Sequence, residues 1–138
     1  MRSILFFFSF VLLATKLYGQ TPVNFDECKT DEFYVSVEQQ PLWADTSKTI
    51  KEYFFQYFEV NHSLESANGK IVLNILIYSS GQPCCRAFTD MNKTGLNPQI
   101  FKDAVNKMPL WIPAKQKNRE VPFMYMVLLQ LKDGMVLK

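Results

Sequence analysis

Apolar and polar positions alternate most regularly between Lys70 and Tyr78. Ile71, Leu73, Ile75 and Ile77 share one side of an extended chain there, and Val72, Asn74, Leu76 and Tyr78 share the other. A period of two rich in β-branched residues predicts a strand, and apolar groups on both sides predict a central one. Ser79-Ser80-Gly81-Gln82 is turn chemistry, so Cys84 to Met91 is expected to fold back as the second arm of a hairpin. The period then changes. Phe101, Ala104, Val105 and Met108 fall at i, i+3, i+4 and i+7, with Asn97 as cap, Pro98 in the first turn and Pro109 as stop, which predicts a helix with one apolar stripe. Ile50, Phe54, Tyr57 and Phe58 draw a second stripe, widened by Tyr53 and Phe55. That helix is expected from about Ser47 to Phe58, with Asp45, Thr46 and Ser47 as candidate caps.

Two further extended stretches frame these elements. Phe33, Val35 and Val37 alternate with polar neighbours until Gln39-Gln40-Pro41 breaks the pattern, which predicts a first strand at the sheet edge. From Val121 the residues Val121, Phe123, Tyr125, Val127, Leu129 and Leu131 fall on one face and Pro122, Met124, Met126, Leu128, Gln130 and Lys132 on the other. Both faces are largely apolar, so this last strand is either buried on both sides or carries an outer face, rich in adaptable Met, that receives a partner. Trp111, held extended between Pro109 and Pro113, is expected to fold back as a plug over helix and sheet. The order strand, helix, strand, strand, helix, strand predicts an α+β domain, a small antiparallel sheet with two helices on one face.

The first residues have a different character. Arg2 precedes an apolar run from Ile4 to Ala14 broken only by Ser9, and Gly19 is a small residue before Gln20. This is the pattern of a signal peptide over residues 1–19, since a spanning helix needs about 20 apolar residues. A lead segment over 20–32 and one domain over 33–138 follow, and no segment after residue 19 is expected to cross a membrane. An uncleaved anchor is the alternative. The expected location is the periplasm or the exterior. Of 15 basic residues, removal of Arg2 and Lys16 leaves 13 against 13 acidic ones, a mature net charge of zero. Without a basic footprint nucleic acid is not an expected partner, and Lys115, Lys117 and Arg119 read as a solvated turn.

Chemistry-bearing motifs are sparse. His62 is the lone histidine, in a polar loop, and the chain has no Gly-x-Ser-x-Gly, no phosphate-cradling glycine loop and no His-Glu-x-x-His. No enzymatic activity, catalytic residue, metal or cofactor is expected. Asn61-His62-Ser63 and Asn92-Lys93-Thr94 match the glycosylation acceptor pattern, which matters only in a eukaryotic secretory pathway. Three cysteines, Cys28, Cys84 and Cys85, should not all stay free in an oxidising compartment. Cys28 is expected to pair with Cys84 or Cys85, closing a loop of more than about 50 residues worth about 4 kcal/mol in the chain-entropy model. A bridge between Cys84 and Cys85 is disfavoured because adjacent strand residues point to opposite faces. The other reading of these thiols is a soft-metal or redox site.

One stretch carries a family resemblance. Met108-Pro109-Leu110-Trp111-Ile112-Pro113-Ala114-Lys115, after an amphipathic helix and before a basic turn and an apolar strand opening at Val121, resembles the end of a TonB C-terminal domain. Gly69-Lys70-Ile71-Val72 running to Gly81 is similar to that family's central hairpin. The resemblance covers Pro41 to Lys132. It implies a non-enzymatic module whose last strand receives an extended partner by strand addition, with Val121, Phe123, Met124, Tyr125, Met126 and Leu128 as the contact residues. The implied partner is a protein, either an outer-membrane receptor segment, with a link to transmembrane transport, or a second copy of the chain. The family's inner-membrane helix and proline-rich linker are not seen, and Glu59-Val60-Asn61 stands where the family often has Tyr-Pro. The 13 residues between Gly19 and Phe33 reach about 45 Å at most, so force transmission is not expected. The alternative function is a secreted redox or metal-handling protein using Cys28, Cys84 and Cys85.

Overall fold

A computed structural model describes residues 21–30, 32–61 and 64–138. The expected signal peptide over 1–19 and the loop histidine His62 lie outside the described residues. The elements are β1 (Val23–Asn24), α1 (Ile50–Asn61), β2 (Gly69–Ile77), β3 (Pro83–Asp90), α2 (Pro98–Asn106), β4 (Ala114–Gln116), β5 (Arg119–Val121), β6 (Phe123–Lys132) and β7 (Met135–Val136). Five of the strands form an antiparallel sheet in the order β1-β3-β2-β6-β7, and β4 and β5 form a separate hairpin. The α+β class and the two helices on one face are as the pattern predicts.

The strongest alternating stretch is indeed central: β2 pairs with β3 on one side and along nine residues with β6 on the other. Its inner face of Ile71, Leu73, Ile75 and Ile77 is buried against Phe54 and Phe58 of α1 and Phe101, Ala104 and Val105 of α2. Asn97 caps α2 by accepting the Gln99 N–H at 3.0 Å. Trp111, 3% exposed, plugs the core as expected, its ring 5.4 Å from Trp43 and 5.1 Å from Tyr125. The backbone N–H of Trp111 donates to the Gly81 carbonyl, and a β-carbon at Gly81 would lie 2.1 Å from the Trp111 carbonyl oxygen. The turn after β2 thus needs glycine twice, for that approach and for a φ of +88°.

Three expectations change. The first helix starts at Ile50, because Thr49 and Glu52 form a reciprocal capping box in which each backbone N–H donates to the other's side chain. Asp45 instead closes a local turn with Ser47. The predicted strand at 33–38 is a single parallel bridge, Tyr34 to Phe123, followed by isolated antiparallel bridges from Gln39 to Lys115 and Leu42 to Ile112. Tyr34 donates to the Pro122 carbonyl, but proline has no N–H to extend the ladder in return. The same proline divides the predicted last strand into β5 and β6. Before it, Lys117 and Asn118 both have positive φ and close a two-residue hairpin. The strand β7, after the similar turn Asp133-Gly134, was not expected.

Candidate functional site

The two faces of β6 have separate fates. Phe123, Val127, Leu129 and Leu131 are buried, and Tyr125 is half-buried against Trp111. On the other face Met126 is 69% exposed and Leu128 47% exposed. The strand is therefore not buried on both sides. The outer face continues across the ladder, where Met124 lies opposite Leu76, Met126 opposite Asn74 and Leu128 opposite Val72. Asn74 is the one polar side chain in this patch, and its Oδ1 is enclosed with no hydrogen-bond partner among the described residues. Of the six contact residues expected from the sequence, the structure brings Met124, Met126 and Leu128 to this face. Phe123 and Tyr125 face the core, and Val121 lies in the small hairpin opposite Ala114.

Backbone geometry adds an edge to the face. In an antiparallel pair alternate residues turn their N–H and C=O toward the neighbour or away from it. The Met124 N–H donates to the Tyr34 carbonyl at 3.0 Å, and the Gln130 carbonyl accepts from the Leu137 N–H at 2.9 Å, both on the side away from β2. Met126 and Leu128 share that orientation. Among the described residues no backbone group answers them. Among the described residues the outer edge of β6 is thus occupied at both ends, by Tyr34 and by the β7 segment, and open between them. Tyr34, Asn74 and Leu137 were missed in the sequence, because only pairing places them beside β6.

The cysteines lie at the opposite edge. Cys28 bridges Cys84, with a Cα–Cα distance of 5.9 Å, and ties the lead segment to β3. Cys84 sits opposite Leu76 and Cys85 opposite Ile75, so the neighbours do face opposite sides of the sheet. Cys85 is free and fully buried. Burial pushes its thiol up to about 12, against smaller opposing effects of Lys102 and the Ala87 backbone. It stays protonated at physiological pH. Further contacts tie the lead segment down: the Phe25 N–H donates to the Arg86 carbonyl, the Lys29 N–H to Tyr78 Oη, and Glu27 pairs with Lys102.

Other concavities are shallow. One, lined by Phe55, Phe58, Leu64 and Val136, carries the carboxylates of Glu59, Glu65 and Asp133, with no Ser, Thr, Cys, His or Lys in its lining. Among the described residues no three His, Cys, Asp or Glu groups converge as metal ligands, and no helix is long and apolar enough to cross a membrane. No family model, no curated protein and no solved structure matches this chain.

Proposed function

We propose that this chain is an exported, non-enzymatic interaction module that binds an extended segment of a partner protein by strand addition at the outer edge of β6. One observation carries the reading: the unanswered backbone groups of Met126 and Leu128 lie beside their own exposed apolar side chains. Backbone pairing would supply affinity, and the side chains alternating on the added segment would supply specificity. An unpaired edge is ordinarily a liability that proteins cover or charge, and here both ends are covered while the middle is apolar. The resemblance to TonB C-terminal domains supports the same mode and suggests an outer-membrane receptor segment as partner. The Cys28–Cys84 bridge suits an oxidising compartment, periplasmic or secreted.

A receptor-type segment fits better than a second copy. Antiparallel pairing of two β6 edges would set Tyr34 and the β7 segment of each copy against the other's strand. The redox or metal-handling alternative gains no support, since two thiols are bridged and the third is enclosed. The test is a photo-crosslinker placed at Met126 in the chain in its native envelope, with Glu59 on α1 as the control position. The expected product is one partner peptide joined at Met126 and absent at Glu59, lost when Leu128 is replaced by Asp. Equal labelling from both positions, or none from Met126, would overturn the reading.

A further inference from the structure

The edge of β6 and the disulfide are joined by one short piece of chain. Cys28 is fixed to β3 on one side of the sheet, and six residues later Tyr34 occupies the edge of β6 on the other. Between them the described residues are mostly exposed and reach the sheet through the Lys29 contact to Tyr78. Tyr34 itself is held by two backbone hydrogen bonds, to the Pro122 carbonyl and from the Met124 N–H, while its side chain and that of Val35 are exposed. Two exposed hydrogen bonds are a weak attachment, and their persistence depends on the chain being tethered nearby on both sides. Gln39 and Leu42 tether it downstream by two backbone hydrogen bonds each. Upstream the one covalent tether among the described residues is the disulfide; beside it stand the Phe25 and Lys29 hydrogen bonds and the Glu27–Lys102 pair, while β1 has only two residues, both exposed.

We propose that the Cys28–Cys84 disulfide is a redox latch on the binding edge, holding Tyr34 over Met124 and releasing it on reduction so that the open stretch of β6 lengthens toward Phe123. This rests on the strand-addition reading above. The reductant class is a dithiol. Its thiolate attacks the sulfur of Cys84, the more accessible of the pair, and Cys28 leaves as thiolate and takes up a proton. The second thiolate of the reductant then attacks its own sulfur in the mixed disulfide, Cys84 leaves as thiolate and is protonated, and the reductant closes to a cyclic disulfide, its two electrons ending on the Cys28 and Cys84 thiols. Cys85 does not capture the released Cys28, because its side chain points into the core beside Ile75.

The test is residue-resolved amide exchange on the mature chain, oxidised and after treatment with dithiothreitol, alongside the crosslinking yield from Met126 in the two states. The expected result on reduction is exchange about tenfold faster at Met124 with Val127 unchanged, and a higher yield at Met126. Tyr34→Pro, which deletes one of the two hydrogen bonds, should give the same exchange pattern with the disulfide intact. Unchanged exchange at Met124 would overturn the latch. Faster exchange at Val127 as well would overturn it too, by showing the bridge to be a staple of the whole sheet. Faster exchange at Met124 with equal capture in both states would overturn the regulation and leave strand addition standing. No capture in either state would overturn strand addition and the latch with it.

Discussion

At the scale of single residues the structure separates positions that tolerate change from positions that do not. Gly81 is the least tolerant. An alanine there meets the Trp111 carbonyl at 2.1 Å and a backbone that side chains rarely adopt, so Gly81→Ala should cost about 3 kcal/mol in denaturant unfolding. A loss below about 1 kcal/mol would mean that the clasp between this turn and the Trp111 segment is loose. Asp90 makes a prediction in pH. Burial alone would raise its pKa, but hydrogen bonds from the Thr94 N–H and hydroxyl and from the Gly95 N–H outweigh it and hold the carboxyl below its ordinary value. A depressed folded value stabilises above the unfolded value, near pH 4, and that stability is lost as pH falls through the folded one. Asp90→Asn should therefore lower stability at neutral pH and flatten its decline in acid. An unchanged acid limb would show that Asp90 contributes nothing to it.

Among the elements, those with a strong internal period were legible and those defined by a neighbour were not. The stretch Ile71 to Ile77 and the stripe Phe101 to Met108 carry their own geometry, and α2 begins at the cap that Asn97 announces. The start of α1 is legible too, in Thr49-x-x-Glu52, although Asp45, Thr46 and Ser47 offer competing caps just before it. Thr49→Ala should destabilise by about 1 kcal/mol, a cap's usual worth, and Ser47→Ala by less. Equal losses would place the cap elsewhere. The turns at Asn118 and at Asp133-Gly134 were readable as hairpin signals, whereas the segment around Tyr34 was not. Its alternation resembles a strand, but it meets β6 through Tyr34 alone, and Pro122, some ninety residues away, has no N–H to carry the ladder back before Tyr34. The cysteine pairing was legible to within one residue, because alternation separates Cys84 from Cys85 without saying which faces Cys28. For the candidate site the sequence showed two apolar faces on the last strand. Only the packing of Trp111 and the helices decides that Tyr125 turns inward and Met126 outward.

For the whole molecule, one sheet carries two helices on its inner face and an exposed apolar strip along β6 on its outer face. The lead segment, stapled at β3 and resting on β6, and the β7 segment narrow the accessible edge to the neighbourhood of Met126 and Leu128. That narrowing lets a protein keep an apolar edge without pairing freely with its own copies. Strand addition requires this edge to be open in the free protein and closed in the complex. The most direct measurement is residue-by-residue amide exchange of the mature chain, alone and with the partner segment captured at Met126. Alone, Met126 and Leu128 should exchange quickly while Val127 and Leu129, bonded to β2, exchange slowly; with the segment bound, Met126 and Leu128 should become protected. Protection of Met126 and Leu128 in the free chain, or continued rapid exchange in the complex, would contradict strand addition at β6.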